Sequence, residues 1–113
     1  MEEINFDDWS KLDLRVGVIK DIEDIPGADK LYKLNVDIGD KKITLCSGLK
    51  EYYSTEELKG KKIVVFVNLS PRKMRGIESQ GMLLAAVSED EKKVVLIRPK
   101  LDVSAGEKIE FKK

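Results

Sequence analysis

Arg72, Lys73 and Arg75 put three cations into four positions, within the stretch Asn68-Leu69-Ser70-Pro71-Arg72-Lys73-Met74-Arg75-Gly76-Ile77-Glu78-Ser79-Gln80-Gly81-Met82. Like charges this close repel one another and are costly to concentrate without an anion to receive them. The two guanidinium groups offer planar forks for phosphates or for stacking on bases. Asn68, Ser79 and Gln80 bring uncharged donors and acceptors to the ends of the stretch, able to read a base edge or a ribose hydroxyl. Met82 offers a soft apolar surface for a base. The chemistry in view is capture of a polyanion. An isolated cluster of this kind is more often a solvated basic loop with a core methionine, so its place in the fold decides its meaning.

Other chemistries find little material. The sequence has no histidine and one cysteine, Cys46. That excludes Cys/His zinc sites, Ser-His-Asp triads and Cys-His dyads, and no cofactor or metal is expected. The carboxylate pairs Asp7/Asp8 and Glu56/Glu57 are adjacent, so on helical turns they diverge, and they read as charges at helix N-termini. Cys46 reads as a small buried filler, and a lone cysteine fits a reducing compartment. Asn68-Leu69-Ser70 matches a glycosylation sequon, which a cytosolic chain would not use. Gly76 and Gly81 do not form a phosphate-loop signature. No apolar run approaches the ~20 residues of a membrane span, and the acidic start Met1-Glu2-Glu3 lacks a signal core. A cytoplasmic binding protein without catalysis is expected.

The formal net charge is zero, with 21 basic and 21 acidic residues, which argues against a general nucleic-acid binder. The distribution is uneven: residues 1–40 carry a net −6, residues 41–80 a net +5 and residues 81–113 a net +1. An anionic partner should therefore bind the middle third.

The elements that must position these cations follow from periodicity. A chain of 113 residues is one domain, large enough to fold without a disulfide or metal staple. Asn5 caps a short helix through Leu12, with Phe6, Trp9 and Leu12 on one face. Leu14, Val16, Val18 and Ile22 alternate along a long strand, in which Gly17 marks a bulge or sharp bend. Pro26-Gly27-Ala28-Asp29 is a turn. Strands over Leu34–Ile38 and Lys42–Cys46 flank a Gly39-Asp40 hairpin turn suited to type II′. Ser54 and Glu57 make a capping box for a short helix that Gly60 closes. Ile63–Val67 and Gly81–Val87 are continuous buried strands. Val94–Ile97 is another, and Ile109 with Phe111 suggests a short last one. Three strands, a short helix and two strands is the order of an OB-fold. The expected class is thus all-β with short helices, a five-stranded OB-fold barrel with a C-terminal β extension. In that fold the connection between the fourth and fifth strands is one of those that grip nucleic acid.

The single domain spans 1–113, with the barrel at about 13–88 and the extension at about 89–113. A strand apolar on both faces, Val94, Val95, Leu96 and Ile97, needs cover on both. One face can lie on the barrel; the other is expected to form a two-fold homodimer.

Several segments together carry a family resemblance. They are Asp13-Leu14-Arg15-Val16-Gly17, Ala28-Asp29-Lys30-Leu31-Tyr32-Lys33-Leu34 with Val36-Asp37-Ile38-Gly39, Ser47-Gly48-Leu49, Asn68-Leu69 with Pro71-Arg72-Lys73 and Arg75-Gly76, and Ser79 through Ala86. In this order and spacing, over roughly residues 6 to 111, the chain resembles the tRNA-binding domain family. That family includes the C-terminal domain or separate β subunit of methionyl-tRNA synthetase and small stand-alone tRNA-binding proteins. The resemblance implies structure-directed tRNA binding, a dimerising extension, and contacts from Lys30, Ser47, Asn68, Arg72, Lys73, Arg75, Ser79 and Met82. It also implies a synthetase catalytic subunit as partner. The start at Met1 suggests a free subunit, with an excised domain as the alternative. Where many members carry a histidine-proline-asparagine step, this chain has Ile25-Pro26-Gly27. A peptide-binding chaperone of the same barrel family is the rival reading; it shares the Leu-Arg-Val-Gly start but is less similar at Ala28–Leu31, Ser47–Leu49 and Ser79–Ala86.

Overall fold

Period-two alternation reappears as alternating burial along Tyr32–Asp37, whereas Ile63–Val65 is buried on both faces, as its continuous apolar run requires. The structure, a computed structural model, describes residues 1–112. Helix α1 (Phe6–Ser10) precedes β1 (Leu14–Asp24), β2 (Tyr32–Asp37) and β3 (Lys42–Ser47), followed by α2 (Thr55–Leu58) and β4 (Lys62–Phe66). A hairpin of β5 (Arg72–Met74) and β6 (Ile77–Ser79) leads into β7 (Met82–Leu83), and then come β8 (Ala85–Val87) and β9 (Val94–Leu96). The main sheet has the order β3-β2-β1-β4-β7 and every pair is antiparallel. This is the expected barrel, with a short helix between its third and fourth strands.

β1 serves both halves of the barrel. Leu14–Val18 pairs with β4, while Val18–Asp24 pairs with β2, and the register shifts between Ile19 and Asp21. The bend expected at Gly17 therefore lies at Lys20. Gly17 is needed for closeness instead. A Cβ there would stand 2.7 Å from Val36 Cγ1 and 2.9 Å from Val65 Cγ2. Those two side chains belong to the core, which Ile19, Leu34, Ile38, Leu45 and Ile63 fill and Leu58 of α2 joins. The α2 capping box is complete in both directions between Ser54 and Glu57.

Three further expectations change. First, the strand over Gly81–Val87 is two strands. β7 lies on β4, whereas β8 leaves it to pair with β9. Ile97 takes over part of the β4 edge, accepting from Val64 N at 3.1 Å and donating its own N–H to Leu84 O at 3.0 Å. Second, Val94–Ile97 is not apolar-buried on both sides of one monomer's layer. Leu96 faces the core at 6% exposure and Val94 packs against it, while Val95 (54%) and Ile97 (43%) point outward. Of the four residues expected at a subunit interface, only Val95 and Ile97 are open to a partner. Third, no regular strand forms at Ile109–Phe111. Residues 106–109 strap along β1, with Val16 N donating to Glu107 O at 2.8 Å and Ile109 N to Leu14 O at 2.9 Å. Phe111 then stacks on Trp9 at 5.4 Å, fastening the tail to α1.

Gly17→Ala should destabilise the barrel by about 1–3 kcal/mol, the usual cost of overpacking a tight core. The check is a urea titration, in which the midpoint falls while the slope is unchanged.

Candidate nucleic-acid interface

The barrel closes through the backbone and side chains of two residues that precede β7. β7 has two residues and cannot pair along the whole of β3. The residues just before it seal the gap. Gln80 N donates to Thr44 O at 2.8 Å, and Thr44 N donates to Gln80 Oε1 at 2.8 Å. Cys46 N donates to Ser79 Oγ at 3.0 Å, and that hydroxyl donates in turn to Gly81 O at 3.0 Å. Ser79 and Gln80 are thus committed to the seam.

Asn68 is committed as well. Its Oδ1 accepts from Asp13 N at 2.8 Å and its Nδ2 donates to Lys11 O at 2.7 Å, which clamps the entry to β1. Ser47 is buried at the end of β3, opposite Tyr32. Three of the eight residues expected at the site therefore face inward or hold the backbone.

The remaining five gather around the hairpin. Its register pairs Arg72 with Ser79, Lys73 with Glu78 and Met74 with Ile77, which leaves Arg75-Gly76 as a two-residue turn. Both turn residues have positive φ, 54° at Arg75 and 81° at Gly76. Two successive left-handed residues are the signature of a type I′ turn, where Asn, Asp and Gly are preferred. For an arginine this conformation costs about 1–2 kcal/mol. Met74 and Ile77 anchor the hairpin on a small second core of Ile25, Ala28 and Cys46, alongside Leu31. The hairpin is thereby docked on the β1–β2 connection, which carries the exposed Lys30. Cys46 sits fully buried in this second core, and desolvation pushes its thiol above the ordinary value. Met82, half-buried, lines a notch with Leu69, Ser70, Arg72 and Met74.

The electrostatics separate two kinds of arginine. Arg15 is forked on Asp13, with Nη2 2.9 Å from Oδ2, and reaches Asp40 at 3.3 Å. The hydrogen bond from Arg15 holds the Asp13 carboxyl below its usual value. Arg72, Lys73 and Arg75 are exposed, and none of the ion pairs among the described residues involves them. A docked hairpin, strained at its tip, whose three cations form no ion pair among the described residues can receive phosphates without first breaking a salt bridge, although Glu78 lies opposite Lys73. Among the described residues no group of acidic or sulfur side chains could hold a metal ion, and no helix is long and apolar enough to cross a membrane. The anchors Met74 and Ile77 escape a reading based on charge; their signal is an apolar pair flanking a two-residue, glycine-containing turn.

The family model described as "Putative tRNA binding domain" matches residues 14–108. The chain belongs to this family. It is 50% identical over 109 residues to the methionine–tRNA ligase of Thermococcus kodakarensis, covering 96% of this chain and 14% of that protein. The corresponding ligase of Pyrococcus abyssi is 53% identical over 106 residues, covering 94% of this chain and 14% of that protein. The chain spans about a seventh of the length of these ligases. Among solved structures, a MetRS-related protein from Pyrococcus horikoshii superposes with a TM-score of 0.91 at 41% identity, covering 97% of this chain and all of that one. The chaperone CsaA from Bacillus anthracis superposes with a TM-score of 0.86 at 31% identity, covering 96% of this chain and all of that one. This tRNA-binding domain is thus homologous to part of methionyl-tRNA ligase.

Arg75→Asn should separate stability from binding. Relief of the left-handed arginine should raise stability by up to about 1 kcal/mol. The same change should weaken tRNA retention, and thermal melting beside filter binding reads both effects.

Proposed function

We propose that this chain is a non-catalytic tRNA-binding domain that raises the tRNA affinity of a methionyl-tRNA synthetase in the cytoplasm. It grips folded tRNA through phosphates and ribose shape, without strong sequence preference. The observation that carries this reading is the docked hairpin, whose three cations stand exposed, Arg75 on its strained turn, while the molecule as a whole is neutral. Attraction is local, so affinity depends on these few contacts. Lys30 stands on the loop under the hairpin and Met82 at its foot, where both can add to the contact. Asn68 and Ser79 support the site by fixing the strands that carry it, and Ser47 is buried at the end of β3.

With about three to five phosphates engaged, log K should fall with log salt at a slope of about −2 to −4.5. Arg72→Ala or Lys73→Ala should each weaken binding by about 1–2 kcal/mol, the scale of one charge-assisted contact, and flatten that slope. Filter binding of total tRNA across a salt series measures both. Retention that ignores salt would refute the reading.

The extension at about 89–113 is proposed to dimerise the domain through the outer side of β8 and β9. Val95 and Ile97 are exposed there at 54% and 43%, with the exposed Ala86 paired opposite Val95. Val95→Glu/Ile97→Glu should give folded monomers in sizing chromatography, because both side chains point away from the core. Persistence of the dimer would exclude this face.

The likeness to CsaA favours one second reading, a peptide-binding chaperone on the same barrel. Suppression of client aggregation that survives Arg72→Glu/Arg75→Glu, together with unchanged tRNA retention, would favour it.

A further inference from the structure

The positive charge of the middle third does not gather in one place. Three of its cations stand on the hairpin, while Lys59, Lys61 and Lys62 bracket the amino end of β4. There they line a groove with Arg98 and Lys100, which follow β9 in the chain, and with Asp102. Both walls are fixed by backbone. Lys61 N donates to Leu58 O at 3.1 Å and Ile19 N to Lys61 O at 3.0 Å on one side; Val64 N donates to Ile97 O at 3.1 Å on the other. Lys62 joins the walls, donating to Asp102 Oδ1 at 2.6 Å and to Val103 O. That contact occupies the carboxylate of the groove. Glu57, near enough to Lys61 to feel its charge, is itself bound to Ser54 N at 2.8 Å. Lys59, Lys61, Arg98 and Lys100 form no ion pair among the described residues.

Four cations held on rigid walls repel one another unless an anion lies between them. The groove and the hairpin flank opposite ends of β4, a strand of five residues and roughly 15 Å. A mononucleotide cannot reach across both. A polyanion with repeated phosphates can, and the RNA held at the hairpin is such a ligand. We infer that the groove between Lys59/Lys61 and Arg98/Lys100 is a second phosphate-backbone contact for the same folded RNA. This rests on the tRNA reading above and extends its footprint to a surface built from segments about forty residues apart.

The test is filter binding of total tRNA to the full chain over a salt series. Two variants, Arg98→Ala/Lys100→Ala and Lys59→Ala/Lys61→Ala, are checked for folding by circular dichroism. Each variant should bind about tenfold more weakly, with a salt slope shallower by about one to two. The two pairs lie on separate walls, so a folding defect in one leaves the other to decide. Wild-type affinity and slope in the folded variants would overturn the inference and leave the hairpin reading standing. So would loss of binding to phosphatidylserine vesicles with tRNA retention unchanged, which would mark a membrane-facing patch. A wild-type chain that retains no tRNA at low salt would sink both readings together.

Discussion

A closed barrel has to satisfy the outer edge of β3, and β7 is too short to do so with its own backbone. An unpaired edge would leave the backbone groups of Thr44 and Cys46 facing water and open to other strands. Ser79 and Gln80 meet this need with side chains placed just before β7. The seam has a further consequence. With Val67 bonded to Asp13 and Ser79 fixed on β3, the ten residues between Asn68 and Ser79 must leave the barrel and return. They do so as a hairpin, and the hairpin carries the cations. Barrel closure and the placement of these cations therefore depend on the same few hydrogen bonds.

The neutral total charge gives this arrangement its specificity of place. Long-range attraction to any polyanion is weak when the molecule as a whole is uncharged. Attraction survives only where cations lack internal partners. Arg15 has two carboxylates and acts as a structural clasp between β1 and the β2–β3 turn. Among the described residues Arg72 and Arg75 pair with none, and they stand in solvent. The strain at Arg75 fits the same logic, since glycine or asparagine would suit that turn better and would remove a charge from its tip. Stability is supplied elsewhere, by the sealed core around Ile19, Leu34 and Val65 and by the tail strapped along β1.

Homology covers the whole barrel in two directions, toward methionyl ligases and toward a chaperone, so the scaffold alone does not choose between RNA and peptide. The choice rests on the surface. A basic hairpin whose cations form no ion pair among the described residues suits phosphates. The apolar surface that stands open at Val95 and Ile97 lies at the separate β8–β9 sheet.

Much of this protein is written in local pattern. Alternation gave β1 and β2, a continuous apolar run gave β4, Ser54 with Glu57 gave the α2 cap, and Arg72, Lys73 and Arg75 marked an exposed basic segment, because period and composition are properties of neighbouring residues. Tertiary structure alone decided which polar groups remain free. Asn68 finds partners 55 and 57 residues away, Gln80 one 36 away and Ser79 one 33 away, so all three look available in sequence and are engaged in the fold. It decided likewise that Leu96 turns inward while Val95 turns out, and that Lys59 and Lys61 meet Arg98 and Lys100 across one groove. The reason is the same in each case: the availability of a side chain is set by what distant segments bring beside it, and no local period records that.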